Sequence, residues 1–145
     1  MKLSISPSEV LIVAVLLGGI GAAAWRYFGG NDGGGAQAAV VRLPTLSAQA
    51  SVGAVAFDSY CVACHGKDGS GTNLGPPLVH DIYNPGHHGD DSFGRAVRQG
   101  VPQHHWRFGN MAPLPQVSDS QLAAIVRYVR ELQQANGIVS RPHQM

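Results

Sequence analysis

The longest apolar run of the chain occupies residues 10–28 and contains a single charged residue, near its end. These nineteen residues are about the length of a helix that crosses the hydrocarbon core of a bilayer. Trp25 and Tyr27 flank the charge, as interfacial anchors do. The pattern predicts a membrane anchor at residues 1–28, and the alternative is a cleaved signal peptide with the alanines at 22–24 as its cleavage site. Either interpretation sends the rest of the chain across the membrane.

Residues 29–46 have no regular apolar spacing, and five of the seven residues at 29–35 are glycine. A glycine-rich coil of roughly fifteen residues has a reach of about 20 Å. This composition predicts a flexible tether at residues 29–46 between the anchor and a domain formed by residues 47–145.

Two helices are predicted in the first half of that domain. Ser47 is a residue type that caps helix N-termini, and the helix after it has an apolar side formed by Val52, Val55, Ala56 and Tyr60. A short helix is predicted over residues 92–99, where Gly100 is placed to end it.

The clearest helix signal begins at Ser118. Ser118 and Gln121 form a capping box, Asp119 lies at the positive end of the helix dipole, and Gly137 is a stop signal. The apolar stripe at three and four spacing consists of Leu122, Ile125, Val126, Val129 and Leu132. Long segments rich in glycine, proline and histidine separate the helices, which indicates an all-α domain folded around another apolar object.

Composition and charge narrow the classes of function. Of 145 residues, 44% are hydrophobic and 13% are charged, with a net charge of +1. A chain of this length is typical of one small domain. Its charge is too balanced to indicate nucleic acid as a partner, although a local basic face is compatible with it. Because no Ser-His-Asp order, phosphate loop or paired-carboxylate motif occurs, we expect no enzymatic activity of its own.

The two cysteines of the chain are Cys61 and Cys64, and His65 follows them directly. This spacing attaches a c-type haem, since two thiols add to its two vinyl groups and the histidine reaches the iron. The alternatives are a redox dithiol, for which no βαβ pattern is present, and a zinc site. A zinc site would draw on further imidazoles, none of which has zinc-finger spacing: His80, His87, His88, His104 and His105.

A second axial ligand for the iron is predicted at Met111. The other two methionines are the first and last residues of the chain, whereas Met111 precedes two prolines, Pro113 and Pro115, that stiffen its loop. A stiff loop lowers the ordering entropy of a weak thioether ligand. The alternative is a methionine that fills a gap in the core.

These residues resemble the class I c-type cytochromes, the mono-haem cytochromes c, in a membrane-anchored bacterial form. Gly53 stands four residues before Phe57, which stands four before the haem motif, as in that family. The segment at 75–78 is similar to the family's proximal loop, and by resemblance the Pro76 carbonyl accepts a hydrogen bond from His65. The resemblance extends over about residues 51–134.

The resemblance also implies a helix crossing and a fold. Ile125 and Tyr128 match the positions that cross the first helix near Gly53, whose missing side chain would let the backbones approach. The implied architecture is a cytochrome c fold of a few helices and long loops around one covalent haem, preceded by one transmembrane helix.

Other loop residues have less defined roles. Trp106 and Arg107 are candidates to hydrogen-bond the haem propionates. Two pairs of adjacent histidines, His87 with His88 and His104 with His105, are interpreted as polar loop features. His104 and His105 also lie close enough in sequence to Met111 to replace it as a ligand.

The function implied is one-electron transfer with His/Met ligation, which raises the potential by favouring ferrous iron. We expect a single-pass protein of a bacterial inner membrane with its cytochrome domain in the periplasm. Its expected partners are a donor dehydrogenase or quinol oxidoreductase and an acceptor oxidase or reductase of a respiratory chain. The alternatives are a dedicated subunit of a membrane-bound dehydrogenase or reductase complex, and a haem peroxidase or gas sensor.

Overall fold

A computed structural model describes residues 40–142 of the chain. Within these residues the α-helices are α1 (Ala48–Tyr60), α2 (Val62–His65), α3 (Asp90–Gln99) and α4 (Asp119–Ala135). Single 3₁₀ turns lie at Lys67–Gly69 and Asp81–Tyr83. The part described contains no β-strand, only one isolated antiparallel bridge between Val101 and Met111. The predicted all-α class is confirmed for these residues.

The predicted membrane anchor lies outside the described residues. Over residues 40–142, no helix is long and apolar enough to cross a membrane.

The core forms where α1 packs against α4. Phe57 of α1 is fully buried, and its ring meets that of Tyr128 edge-on with centroids 5.6 Å apart. A Cβ atom at Gly53 would lie only 1.9 Å from the Ala124 carbonyl oxygen, so the two backbones are in contact there. The crossing implied by the resemblance is therefore confirmed. Full burial of a side chain such as Phe57 contributes about 1.5–3 kcal/mol.

Side-chain caps define the starts of the two core helices. The Ser47 hydroxyl accepts a hydrogen bond from the Ala50 amide at 3.2 Å. Ser118 and Gln121 form the predicted capping box, with reciprocal hydrogen bonds of 2.9 and 3.2 Å. Each such cap stabilises its helix by about 1 kcal/mol. Both predicted helix starts are confirmed.

The predicted apolar side of α1 is wrong for two of its residues. Val52 and Val55 are 62% and 70% exposed, and the buried face consists of Ala50, Gly53, Ala56 and Phe57. The contact with α4 turns Gly53 inward, and successive residues of a helix are rotated by about 100°. Val52 and Val55 lie about one and two such steps from Gly53 and therefore face solvent.

Helix α3 begins at Asp90, two residues before the predicted start at 92. Its N-cap is Gly89, which supplies no side-chain cap, and Asp90 and Asp91 lie in the first turn. Their negative charges favour the positive end of the helix dipole, which explains a start without a capping side chain. The helix ends at Gly100, as predicted, with a φ of +76°.

Residues 40–46, the end of the predicted tether, lie along α4. Arg42 and Asn136 are joined by two hydrogen bonds, with the Arg42 amide donating at 2.8 Å and its carbonyl accepting at 2.9 Å. The Ser47 amide donates to the Glu131 carboxylate at 2.9 Å. This segment is thus part of the packed domain, a docking for which the sequence contains no signal.

Candidate functional site

Cys61 and Cys64 lie one helical turn apart at the junction of α1 and α2. The Cys61 carbonyl accepts hydrogen bonds from the Cys64 amide at 3.2 Å and the His65 amide at 2.9 Å. This turn places both thiols on one face of the chain. In the described part of the chain both thiols are free, Cys61 half-buried and Cys64 exposed. Burial, with a smaller effect from Cys64, raises the pKa of the Cys61 thiol to about 11.

The His65 imidazole is oriented by one hydrogen bond. Its Nδ1 lies 2.9 Å from the Pro76 carbonyl oxygen, the contact that the resemblance implies. Because a carbonyl only accepts, Nδ1 carries the hydrogen and Nε2 keeps its lone pair. Burial lowers the pKa of His65, although the bond to Pro76 acts in the opposite direction. The result is a neutral imidazole with Nε2 suited to a metal.

The loop that carries Pro76 is fixed against the cysteine turn. The Gly71 amide donates to the His65 carbonyl at 2.6 Å, and the Thr72 hydroxyl donates to the Cys64 carbonyl at 2.6 Å. A Cβ atom at Gly75 would lie 2.9 Å from the Cys64 carbonyl oxygen, so only glycine permits this approach. Thr72 was not among the predicted site residues, since a threonine in a glycine-rich loop gives no signal beyond turn propensity.

Met111 is half-buried and its backbone is held by the end of α3. The Val101 amide donates to the Met111 carbonyl at 3.0 Å, and the Met111 amide donates back at 2.9 Å. The Leu114 amide donates to the Val97 carbonyl at 2.7 Å. A Cβ atom at Gly100 would lie 2.4 Å from the Met111 carbonyl oxygen. Backbone pairing therefore stiffens this loop in addition to the prolines named from the sequence.

The two predicted propionate partners have different surroundings. The half-buried Trp106 donates its indole N–H to the Tyr83 hydroxyl at 3.1 Å, whereas Arg107 is exposed. Burial raises the pKa of Tyr83 to about 12, against a smaller opposite effect of Trp106. The indole N–H is the only hydrogen-bond donor of a tryptophan side chain, and in Trp106 it is already bonded to the Tyr83 hydroxyl. The propionate role of Trp106 and Arg107 stays a prediction.

Two polar residues of α4, Arg130 and Gln133, hold the segment between the proximal loop and α3. Gln133, only 1% exposed, donates to the carbonyls of Leu78 at 2.9 Å and Tyr83 at 3.1 Å. Arg130 donates to the carbonyls of Tyr83 and His88. Neither residue was predicted to lie at the site. Their spacing of three beside the apolar stripe is the only signal that could have identified them.

The predicted polar histidine pairs come together in space. The possible ligand atoms of His87, His88 and His105 all lie within 4.8 Å of one another. The ring of His104 stands 4.3 Å from that of His105, centroid to centroid. Neither pair is an isolated loop feature, because the fold joins them into one cluster.

The described residues fit the haem that the sequence predicts. Cys61 and Cys64 offer two free thiols at one-turn spacing, which suits two thioether bonds to the vinyl groups. His65 offers a neutral imidazole whose other nitrogen is already held by Pro76, the arrangement typical of metal-ligating histidines. Met111 offers a thioether on a backbone fixed at both its amide and its carbonyl.

Comparison with known proteins gives one family. A family model described as cytochrome c matches residues 50–133, more than half of the 145 residues. The matched range runs from the start of α1 almost to the end of α4 and includes the cysteine turn, Pro76 and Met111. Among curated proteins, none matches the chain.

Proposed function

The chain belongs to the cytochrome c family, and from that premise we propose that it is a membrane-anchored electron carrier whose haem iron is ligated by His65 and Met111. Membership implies a covalently bound c-type haem with iron and a role in electron transfer with redox protein partners. When bound, the haem supplies reversible one-electron chemistry. The protein supplies the ligands, their orientation and a low-dielectric surrounding.

The attachment is assigned to Cys61 and Cys64, with His65 as the proximal ligand. The Pro76 carbonyl supports this assignment, because its hydrogen bond to Nδ1 fixes the tautomer and raises the basicity of Nε2. Thr72 and Gly75 support it indirectly by holding the proximal loop against Cys64.

The observation that carries the His/Met assignment is the pairing of Met111 with Val101 through both the amide and the carbonyl of each residue. A neutral thioether binds iron weakly, so its loop must be ordered before ligation to avoid an entropic cost. Ligation by both His65 and Met111 would leave the haem iron no open position for a substrate and would raise its potential by favouring the ferrous state. Both effects suit a carrier at the higher-potential end of a respiratory chain.

The predicted anchor determines the cellular compartment and the class of partners that we propose for electron transfer. The apolar run at 10–28 supports retention in a bacterial inner membrane with the cytochrome domain in the periplasm. The donor would be a dehydrogenase or quinol oxidoreductase and the acceptor an oxidase or reductase. We expect the protein to stay in the membrane pellet after a high-salt wash, because salt screens charges but leaves apolar burial intact. A soluble mature chain beginning near Trp25 would contradict the anchor.

The ligand assignment is tested by Met111→Ala in the purified haem protein. We expect loss of the sulfur-to-iron absorption band of the oxidised protein and a lower reduction potential, since the preference for ferrous iron is removed. Met145→Ala is the matched control, because it removes a methionine at the end of the chain and should change neither property. An unaltered sulfur band in Met111→Ala would contradict the assignment without affecting family membership.

Carbon monoxide separates a carrier from a peroxidase or gas sensor. We expect the reduced wild type not to bind it, since Met111 fills the sixth position. Reduced Met111→Ala should bind it, which shows that the reagent reaches the iron. Ready binding by the wild type would favour the open-site alternatives.

A further inference from the structure

We propose that His87, His88 and His105 form a binding site for one divalent transition-metal ion of the imidazole-preferring class, Cu²⁺ or Zn²⁺, separate from the haem iron. Their possible ligand atoms all lie within 4.8 Å of one another. The ring centroids are 4.4 Å apart for His87 and His88, 5.2 Å for His87 and His105, and 5.3 Å for His88 and His105. Three imidazoles therefore converge from two loops.

The closest pair of nitrogens already has the spacing of two ligands on one ion. The Nε2 atoms of His87 and His105 lie 3.2 Å apart. Two nitrogens bound at about 2.0–2.1 Å to one tetrahedral ion lie about 3.3 Å from each other. A hydrogen bond between the two rings gives a similar spacing, and metal titration distinguishes a metal site from such a bond.

The remaining ring has the tautomer that a metal requires. The Nδ1 atom of His88 lies 2.7 Å from the Ile82 carbonyl oxygen, so it carries the hydrogen and leaves the Nε2 lone pair available. Metal-ligating histidines usually donate their other N–H to such an acceptor. His104 has the same tautomer, with its Nδ1 atom 2.8 Å from the Pro102 carbonyl oxygen, but it is not one of the three histidines whose ligand atoms lie within 4.8 Å of one another.

Hydrogen bonds within the protein order the turn that carries His87 and His88 without help from an ion. The Asn84 carbonyl accepts from the His87 amide at 3.0 Å and the His88 amide at 2.8 Å. The Asn84 side chain is buried and bridges the Asp81 carbonyl at 2.7 Å and the Gly86 amide at 2.9 Å. Little ordering entropy is then left for the ion to offset.

The donor set selects the class of metal. Among the described residues the group consists of three imidazoles and no carboxylate, which suits Cu²⁺ and Zn²⁺ and excludes Mg²⁺ and Ca²⁺, which prefer oxygen. Arg130 donates to the His88 carbonyl and its charge opposes a cation, but Arg130 is paired with the Asp90 carboxylate at 2.7 Å. The Asp90 carboxylate therefore offsets part of that charge.

A bound ion would cross-link two loops. His87 and His88 belong to the turn before α3, and His105 belongs to the loop that leads to Met111, six residues later. The ion would restrain that loop and raise the unfolding midpoint of the protein, because it binds only the folded state.

The test uses the full-length haem protein, stripped with a chelator and titrated with Zn²⁺ by calorimetry. We expect saturable uptake of one equivalent, and affinity at least about tenfold weaker in His105→Gln and in His88→Gln. The matched control is His80→Asn, which removes an imidazole outside the cluster. In the wild type the His80 Nδ1 atom accepts a hydrogen bond from the Ile82 amide at 3.2 Å, and the asparagine side chain keeps an acceptor for that amide. The haem absorption spectrum of each variant reports whether it is folded.

Cu²⁺ supplies a second readout. The electron paramagnetic resonance spectrum of one bound equivalent should show hyperfine structure from several nitrogens, which His105→Gln reduces. Absence of saturable Zn²⁺ and Cu²⁺ uptake would overturn the proposal in favour of a hydrogen-bonded histidine cluster. Unchanged affinity in both His105→Gln and His88→Gln would also overturn it. Neither result bears on the haem ligands.

Discussion

The contact between Gly53 and α4 gives the sharpest prediction for stability. Gly53→Ala would place a Cβ atom 1.9 Å from the Ala124 carbonyl oxygen and 3.0 Å from the Tyr128 Cβ atom. The first distance is about 1.5 Å short of the 3.4 Å at which ordinary contact begins. Because the obstructing atom belongs to the backbone, no rotamer change relieves the clash. The two core helices must separate.

The magnitude follows from two opposing effects. Overpacking of a core costs about 1–3 kcal/mol, and a clash with backbone places Gly53→Ala at or above the upper end. Alanine in place of glycine inside a helix contributes about 1 kcal/mol in the opposite direction. We expect a net loss of about 2 kcal/mol, which lowers the unfolding midpoint of a domain this size by about 8–16 °C.

The assay is thermal unfolding of the haem protein followed by far-ultraviolet circular dichroism. The matched control is Gly94→Ala in α3, where the nearest atom to a new Cβ is the flexible Leu122 Cδ2 at 3.9 Å. We expect that variant to equal or exceed the wild type in stability, since it gains helix propensity without a clash. A midpoint for Gly53→Ala within about 2 °C of the wild type would refute the close crossing of α1 and α4.

Two further predictions concern side chains of α4 that hold distant segments. The Ser47 amide and, to a lesser degree, Arg127 lower the pKa of Glu131 below its usual 4.5. The ionised carboxylate therefore stabilises the folded protein above pH 4.5. This stabilisation is lost as the pH falls through the lowered pKa that Glu131 has in the folded state. Unfolding midpoints measured between neutral and acid pH should therefore fall more steeply in the wild type than in Glu131→Gln, and parallel curves would contradict the contact. Gln133→Leu leaves the Leu78 carbonyl without its donor in the core, so we expect a loss of about 1–3 kcal/mol in denaturant unfolding. Gln134→Leu, at an exposed neighbouring position, should leave stability nearly unchanged.

Local signals explain which parts of the fold could be predicted from sequence. The caps at Ser47 and Ser118 and the stop at Gly100 act within one helical turn, and each was predicted correctly. The inward face of α1 is set by a partner helix more than sixty residues away, and for this reason Val52 and Val55 were placed on the wrong side.

The candidate site divides in the same way. The motif at Cys61–His65 is contiguous and could be identified directly, and Pro76 followed by family resemblance. Arg130 and Gln133 donate hydrogen bonds to backbone carbonyl groups. Every residue type has such a group, so nothing in the sequence marks these as acceptors. The histidine cluster forms only when two loops come into contact, and its members His87 and His105 are 18 positions apart in the sequence. No local spacing of residues reveals such a contact.

The two hydrogen bonds between Arg42 and Asn136 join positions 94 residues apart in the chain. They bring the segment at 40–46 beside the end of α4, so two parts of the chain that are far apart in sequence lie next to each other. Domains with adjacent termini tolerate circular permutation, and here a linker that starts after Arg141, whose amide donates to the Asn84 side chain at 3.2 Å, and ends at residue 40 would close the chain so that it could be opened elsewhere. The same geometry would allow the whole domain to be inserted into a surface loop of another protein without altering its core.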